Sequence, residues 1–192
     1  MAASDRKADV GAETSDRELV FTRVFDAPRE LVFSAWTDPT HLVHWWGPDG
    51  FTLTIHEMDV KPGGVWRFVM HGPDGRDYAN RIVYVEVARP ERLIYKHVPG
   101  PGDEPVRFDV TVSFDERDGK THLTMQMVFP SKVARDHIVK TYGAEEGAKQ
   151  TLGRLAAYVA DSIDNRDGTR SQRREARVRD ASPSRPRGFA PS

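Results

Sequence analysis

Residues 145–160 read EEGAKQTLGRLAAYVA, and the fold turns on this stretch. Ala148, Leu152, Leu155, Ala156 and Val159 recur at helical spacing and project onto one face, while Gln150, Arg154 and Ala157 fall on the opposite side. A helix of this length spans about 24 Å, enough to cross a small β-sheet from rim to rim. The segments before it mostly alternate apolar and polar residues, as half-buried strands do. The architecture expected is α+β: a curled antiparallel sheet of about seven strands around a long C-terminal helix.

The upstream punctuation fits that plan. Residues 19–25 are apolar and β-prone, a first strand. Asp26-Ala27-Pro28-Arg29-Glu30 reads as a helix start with Asp26 as cap, and Thr37-Asp38-Pro39 opens a second. Two short helices therefore follow the first strand, and Trp46-Gly47-Pro48 ends the second. From Phe51 the period becomes two. Strands are expected over residues 51–61, 65–71, 78–88 and 92–98, separated by Pro62-Gly63-Gly64, Gly72-Pro73-Asp74-Gly75 and Arg89-Pro90-Glu91. Residues 99–105 are too rich in Gly and Pro for regular structure. Val106, Phe108, Val110, Val112 and Phe114 alternate strictly with polar residues, and Asp118-Gly119 signals a hairpin into Leu123, Met125, Met127 and Phe129. Residues 131–141 read as a short helical turn before the long helix.

Composition sets the domain plan and excludes several classes. The chain has 192 residues and no Cys, so disulfides, thiolate metal sites and cysteine nucleophiles are out. Residues 1–17 are polar and aperiodic and read as a disordered lead; 18–161 form the folded domain; 162–192 read as a disordered Arg-rich tail. The net charge of −1 hides an asymmetry, because eight Arg face four acids from Asp164 onward. The folded body is mildly acidic, which points away from nucleic acid. No secretory signal and no membrane span are expected, and a cytoplasmic location is the reading that follows.

The chain also resembles a known family. Residues 22–33 (TRVFDAPRELVF), then Ala35-Trp36-Thr37-Asp38-Pro39 and Trp45-Trp46-Gly47-Pro48, are similar to the opening of the activator of heat-shock protein 90 ATPase homologue family. So are residues 57–68 (EMDVKPGGVWRF), the element Pro90-Glu91-Arg92-Leu93-Ile94-Tyr95, and the closing residues 147–159. One departure is Gly153, where the family usually carries a charged residue. The resemblance covers roughly residues 18–161 and implies membership of the SRPBCC superfamily, START-like and birch-pollen-allergen-like. Its helix-grip fold encloses an apolar cavity between sheet and helix.

The resemblance implies a protein that binds a small hydrophobic or aromatic ligand in that cavity. A cyclase- or hydrolase-type enzyme using the same space, and a chaperone cofactor active in the stress response, are the alternatives. Candidate cavity residues are Trp66, Phe68, Tyr84, Tyr95, Phe108, Val110, Met125, Met127, Leu152 and Leu155. Methionine suits a wall that accepts varied apolar shapes. Buried tyrosines need partners for their hydroxyls, and Glu57, Arg67 and Arg81 are the nearest polar residues in the sheet. No catalytic residue is singled out, and no Gly-x-Ser-x-Gly string occurs. His41 and His44 have a spacing that suits a metal, but no third ligand is evident nearby, so no metal and no cofactor are expected. A monomer or a homodimer is compatible with the sequence.

Overall fold

The structure, a computed structural model, describes residues 16–99 and 107–180, with side chains as far as residue 165. The lead before residue 16, most of the Gly/Pro-rich loop with Val106, and the last part of the tail lie outside the described residues.

Seven strands form one antiparallel sheet in the order β1-β7-β6-β5-β4-β3-β2. They are β1 (Glu18–Phe25), β2 (Thr52–Met58), β3 (Val65–His71), β4 (Asp77–Ala88), β5 (Arg92–His97), β6 (Phe108–Arg117) and β7 (Lys120–Val128). Helices α1 (Arg29–Thr37) and α2 (Pro39–Leu42) follow β1, and α3 (Lys132–Tyr142) and α4 (Ala144–Asp180) close the chain. The fold is the α+β helix-grip arrangement that the sequence implied.

Register confirms the alternation. Val110 pairs with Met127, Val112 with Met125 and Phe114 with Leu123, so these residues share the inner face. Asp118 and Gly119 both have positive φ, 53° and 72°, as a two-residue hairpin turn requires. The Pro62-Gly63-Gly64 turn is equally specific, because a Cβ on Gly64 would meet the Asp59 carbonyl oxygen at 2.0 Å.

Several local expectations change. Asp26 does not cap α1: Pro28 occupies the N-cap position with no side-chain hydrogen bond, and the Arg29 amide donates instead to Glu116 at 3.0 Å. The long β6–β7 hairpin brings that carboxylate within reach, so the cap comes from another element. Asp38 does cap α2, accepting from the Thr40 amide at 2.8 Å. Strand β2 stops at Met58 rather than Lys61. The turn before α4 is an 11-residue helix, capped by Ser131 and ended by Gly143 in the left-handed conformation. Helix α4 runs on past Ala160 to Asp180, through residues read on the sequence as tail. That segment is rich in Arg, a good helix former.

The core fills one end of the grip. Phe33 and Trp36 of α1 meet Phe114 edge-on, with ring centroids 5.2 and 5.9 Å away. Leu155 and Val159 of α4 pack into the same cluster with Leu93, Val112 and Leu123. Among the described residues no helix is long and apolar enough to cross a membrane.

Candidate functional site

At the other end the grip is not filled. A cavity of about 450 Å³ lies between the sheet and the first turns of α4. Each element contributes residues from one end only: Phe68 and Met70 of β3, Tyr78, Asn80 and Ile82 of β4, Tyr95 and His97 of β5, Phe108 and Val110 of β6, and Met125 and Met127 of β7. Helix α4 adds Ala144, Gly147, Ala148, Thr151 and Leu152, α3 adds Ile138 and Tyr142, and Trp36, Trp46, Gly47 and Pro48 complete the wall.

Seven of the sequence candidates therefore line the cavity: Phe68, Tyr95, Phe108, Val110, Met125, Met127 and Leu152. Trp66, Tyr84 and Leu155 do not; they are buried in the packed core. Parity along a strand places a side chain on the inner face but says nothing of its depth along the barrel. Trp66 instead joins an aromatic cluster, its ring 4.8 Å from Trp46 and 4.2 Å from Phe68.

The expected tyrosine partners are also elsewhere. Glu57 and Arg67 are exposed and pair with each other at 2.7 Å, and Arg81 is exposed too. The register shift between Ile55 and Glu57 sets Glu57 on the outer face. Burial pushes the Tyr84 and Tyr95 phenols well above their ordinary range, so both remain protonated. The Trp36 indole N–H favours the Tyr95 anion slightly but forms no hydrogen bond of ordinary geometry.

The polar end of the cavity was not legible beforehand. Asn80 Oδ1 accepts from His97 Nε2 at 2.8 Å, and Asn80 Nδ2 donates to the Tyr78 carbonyl at 2.8 Å. The His97 ring stacks on Phe108, 4.7 Å between centroids. Asp77 stands at the rim, its carboxylate accepting from His71 Nδ1 at 2.6 Å. The signal was present in the strand parity of Tyr78, Asn80 and Ile82, which matches that of Tyr84.

Arg154 is the largest surprise. Read as outward-facing, it is half-buried and donates through one Nη atom to the carbonyls of Gly47, Pro48 and Phe51 at 2.9, 2.8 and 3.2 Å. Gln150 accepts from the Asp49 amide at 3.1 Å. These two side chains hold the loop between α2 and β2 against α4, and that loop supplies Gly47 and Pro48 to the wall. His41 and His44, weighed as metal ligands, instead surround Tyr158: His41 Nδ1 meets its hydroxyl at 2.5 Å and His44 stacks on its ring.

A sheet gripping one helix, with a cavity at one end, defines a protein of the START-like helix-grip class. The chain belongs to the family described as Activator of Hsp90 ATPase homolog 1-like protein, whose profile matches residues 26–160. Solved structures agree with the fold. A protein from Arthrobacter aurescens has a TM-score of 0.71 at 23% identity, covering 77% of this chain and 88% of that one. Protein Ms6760 from Mycobacterium smegmatis has a TM-score of 0.68 at 26% identity, covering 75% and 91%. The AHSA1 protein from Silicibacter pomeroyi has a TM-score of 0.61 at 23% identity, covering 76% and 99%. Comparison with curated proteins gives no match.

Proposed function

We propose that the protein binds a small hydrophobic or aromatic ligand in the cavity between the sheet and α4. The observation that carries this reading is the cavity itself, about 450 Å³ walled by Phe68, Phe108, Met125, Met127, Trp36 and Trp46. That volume is in the range of small-molecule sites, and the balance of apolar wall to a few polar groups is typical of them. Met70, Met125 and Met127 give the wall side chains that adapt to guests of different shape. The protein acts in the cytoplasm as a monomer or homodimer and needs neither metal nor cofactor for binding. The chaperone role in the family's name would use the outer surface and leave this cavity unexplained, which favours the ligand reading.

Native mass spectrometry of the protein purified from its host tests the proposal. A small molecule bound to the folded chain and released on denaturation is the expected result. A chain that carries nothing and takes up no apolar probe would overturn it.

A further inference from the structure

The wall offers polarity with almost no charge. Among the described lining residues there is no Lys or Arg, and the one carboxylate is Asp77 at the rim. That carboxylate is already engaged by His71. Inside, the polar groups are largely committed to each other. His97 Nε2 is committed to the Asn80 amide oxygen, one Asn80 N–H to the Tyr78 carbonyl, and the Thr151 hydroxyl to the Gly147 carbonyl at 2.7 Å. Burial keeps the Tyr95 phenol protonated, leaving it a neutral donor. An anion entering this space would lose its water and find no Lys or Arg among the described lining residues to pair with, and at the mouth it would face Asp77. An unpaired buried anion is strongly disfavoured, whereas a neutral hydroxyl, carbonyl or amide finds enough partners here to be accommodated.

We infer that the cavity selects by charge: it takes uncharged apolar or aromatic guests with a neutral polar end, and rejects the same body carrying a carboxylate or sulfonate. This rests on the ligand-binding reading above. It goes beyond it in naming what the ligand cannot be.

Two fluorescent probes separate the two claims. N-phenyl-1-naphthylamine and 8-anilino-1-naphthalenesulfonate share one body and differ by a sulfonate. They are titrated into the full chain near pH 8, where free imidazole is neutral. Energy transfer from the chain's tryptophans reports occupancy, with Trp36 and Trp46 on the wall. The neutral probe is expected to bind at least about tenfold more tightly, in keeping with the cost of an unpaired buried anion. Thr151→Lys and Ala148→Lys each bring an ammonium to the wall and are expected to shrink that ratio by roughly tenfold, because the anion then has a partner. Affinities within about twofold of each other in the native chain, or a ratio unmoved in either folded lysine variant, would overturn charge selection and leave the cavity standing. A folded chain that binds neither probe would overturn the binding proposal itself.

Discussion

The guanidinium of Arg154 donates to the carbonyl of Pro48 at 2.8 Å, joining the closing helix to a loop 106 residues earlier in the chain. The same Nη atom reaches the carbonyls of Gly47 and Phe51, so one cation satisfies three backbone acceptors. Charge-assisted hydrogen bonds to partly buried acceptors are worth more than neutral ones, and stranding the acceptors costs their desolvation as well. The loop therefore depends on this side chain to remain a wall of the cavity.

Arg154→Ala is expected to destabilise the protein by about 1–3 kcal/mol, measured by urea denaturation, and to speed release of a bound apolar probe. Arg154→Lys should recover part of both losses, since an ammonium keeps the charge but not the planar fork. A stability change below about 0.5 kcal/mol with an unaltered release rate would show that the loop holds itself in place.

Gly153 sits inside α4, where a Cβ would meet only the Arg23 guanidinium at 3.9 Å, an ordinary contact. Gly153→Ala should therefore stabilise the protein by about 0.5–1 kcal/mol, through helix propensity alone. A loss of stability would mean that the helix packs more closely there than the geometry indicates.

Asp38 caps α2, and its hydrogen bonds from the Thr40 hydroxyl and amide hold its carboxyl below the ordinary range. A depressed carboxylate stabilises above its unfolded-state pKa and loses that contribution as pH falls through its folded-state value. Asp38→Ala should cost about 1 kcal/mol at neutral pH, the usual worth of such a cap. Thermal unfolding at stepped pH should show the gap between variant and native protein narrowing below about pH 4. A gap that stays constant into acid would remove the carboxylate from the account.

Much of this fold could be read from the chain because its signals are local. The strict alternation through Val110, Val112 and Phe114 marked one face of β6 as apolar, and the pairing with β7 puts Met125 and Met127 on that same side. Helical spacing likewise placed Leu152, Leu155 and Val159 together. What escaped was everything that depends on a distant segment. A helical wheel puts Arg154 opposite the apolar stripe, yet cannot know that residues 47–51 fold over that side. Strand parity cannot tell Tyr95, at the open end, from Tyr84 in the packed half, since both face inward. Asp26 had every local mark of a cap, but Glu116 arrives from the β6 end and takes the role. Polar residues such as Asn80 and His97 share the parity of their strands' inward residues, but parity alone cannot show that they meet each other.

The methionines offer the most direct test of a ligand held inside the grip. The chain has five, of which Met70, Met125 and Met127 line the cavity while Met58 packs at the edge of the core. With the methionine methyl groups labelled for NMR, N-phenyl-1-naphthylamine should shift the resonances of Met70, Met125 and Met127 and leave Met58 nearly still. Shifts confined to Met58, or none at all under conditions where the probe binds, would place the ligand outside the cavity and contradict the proposed function.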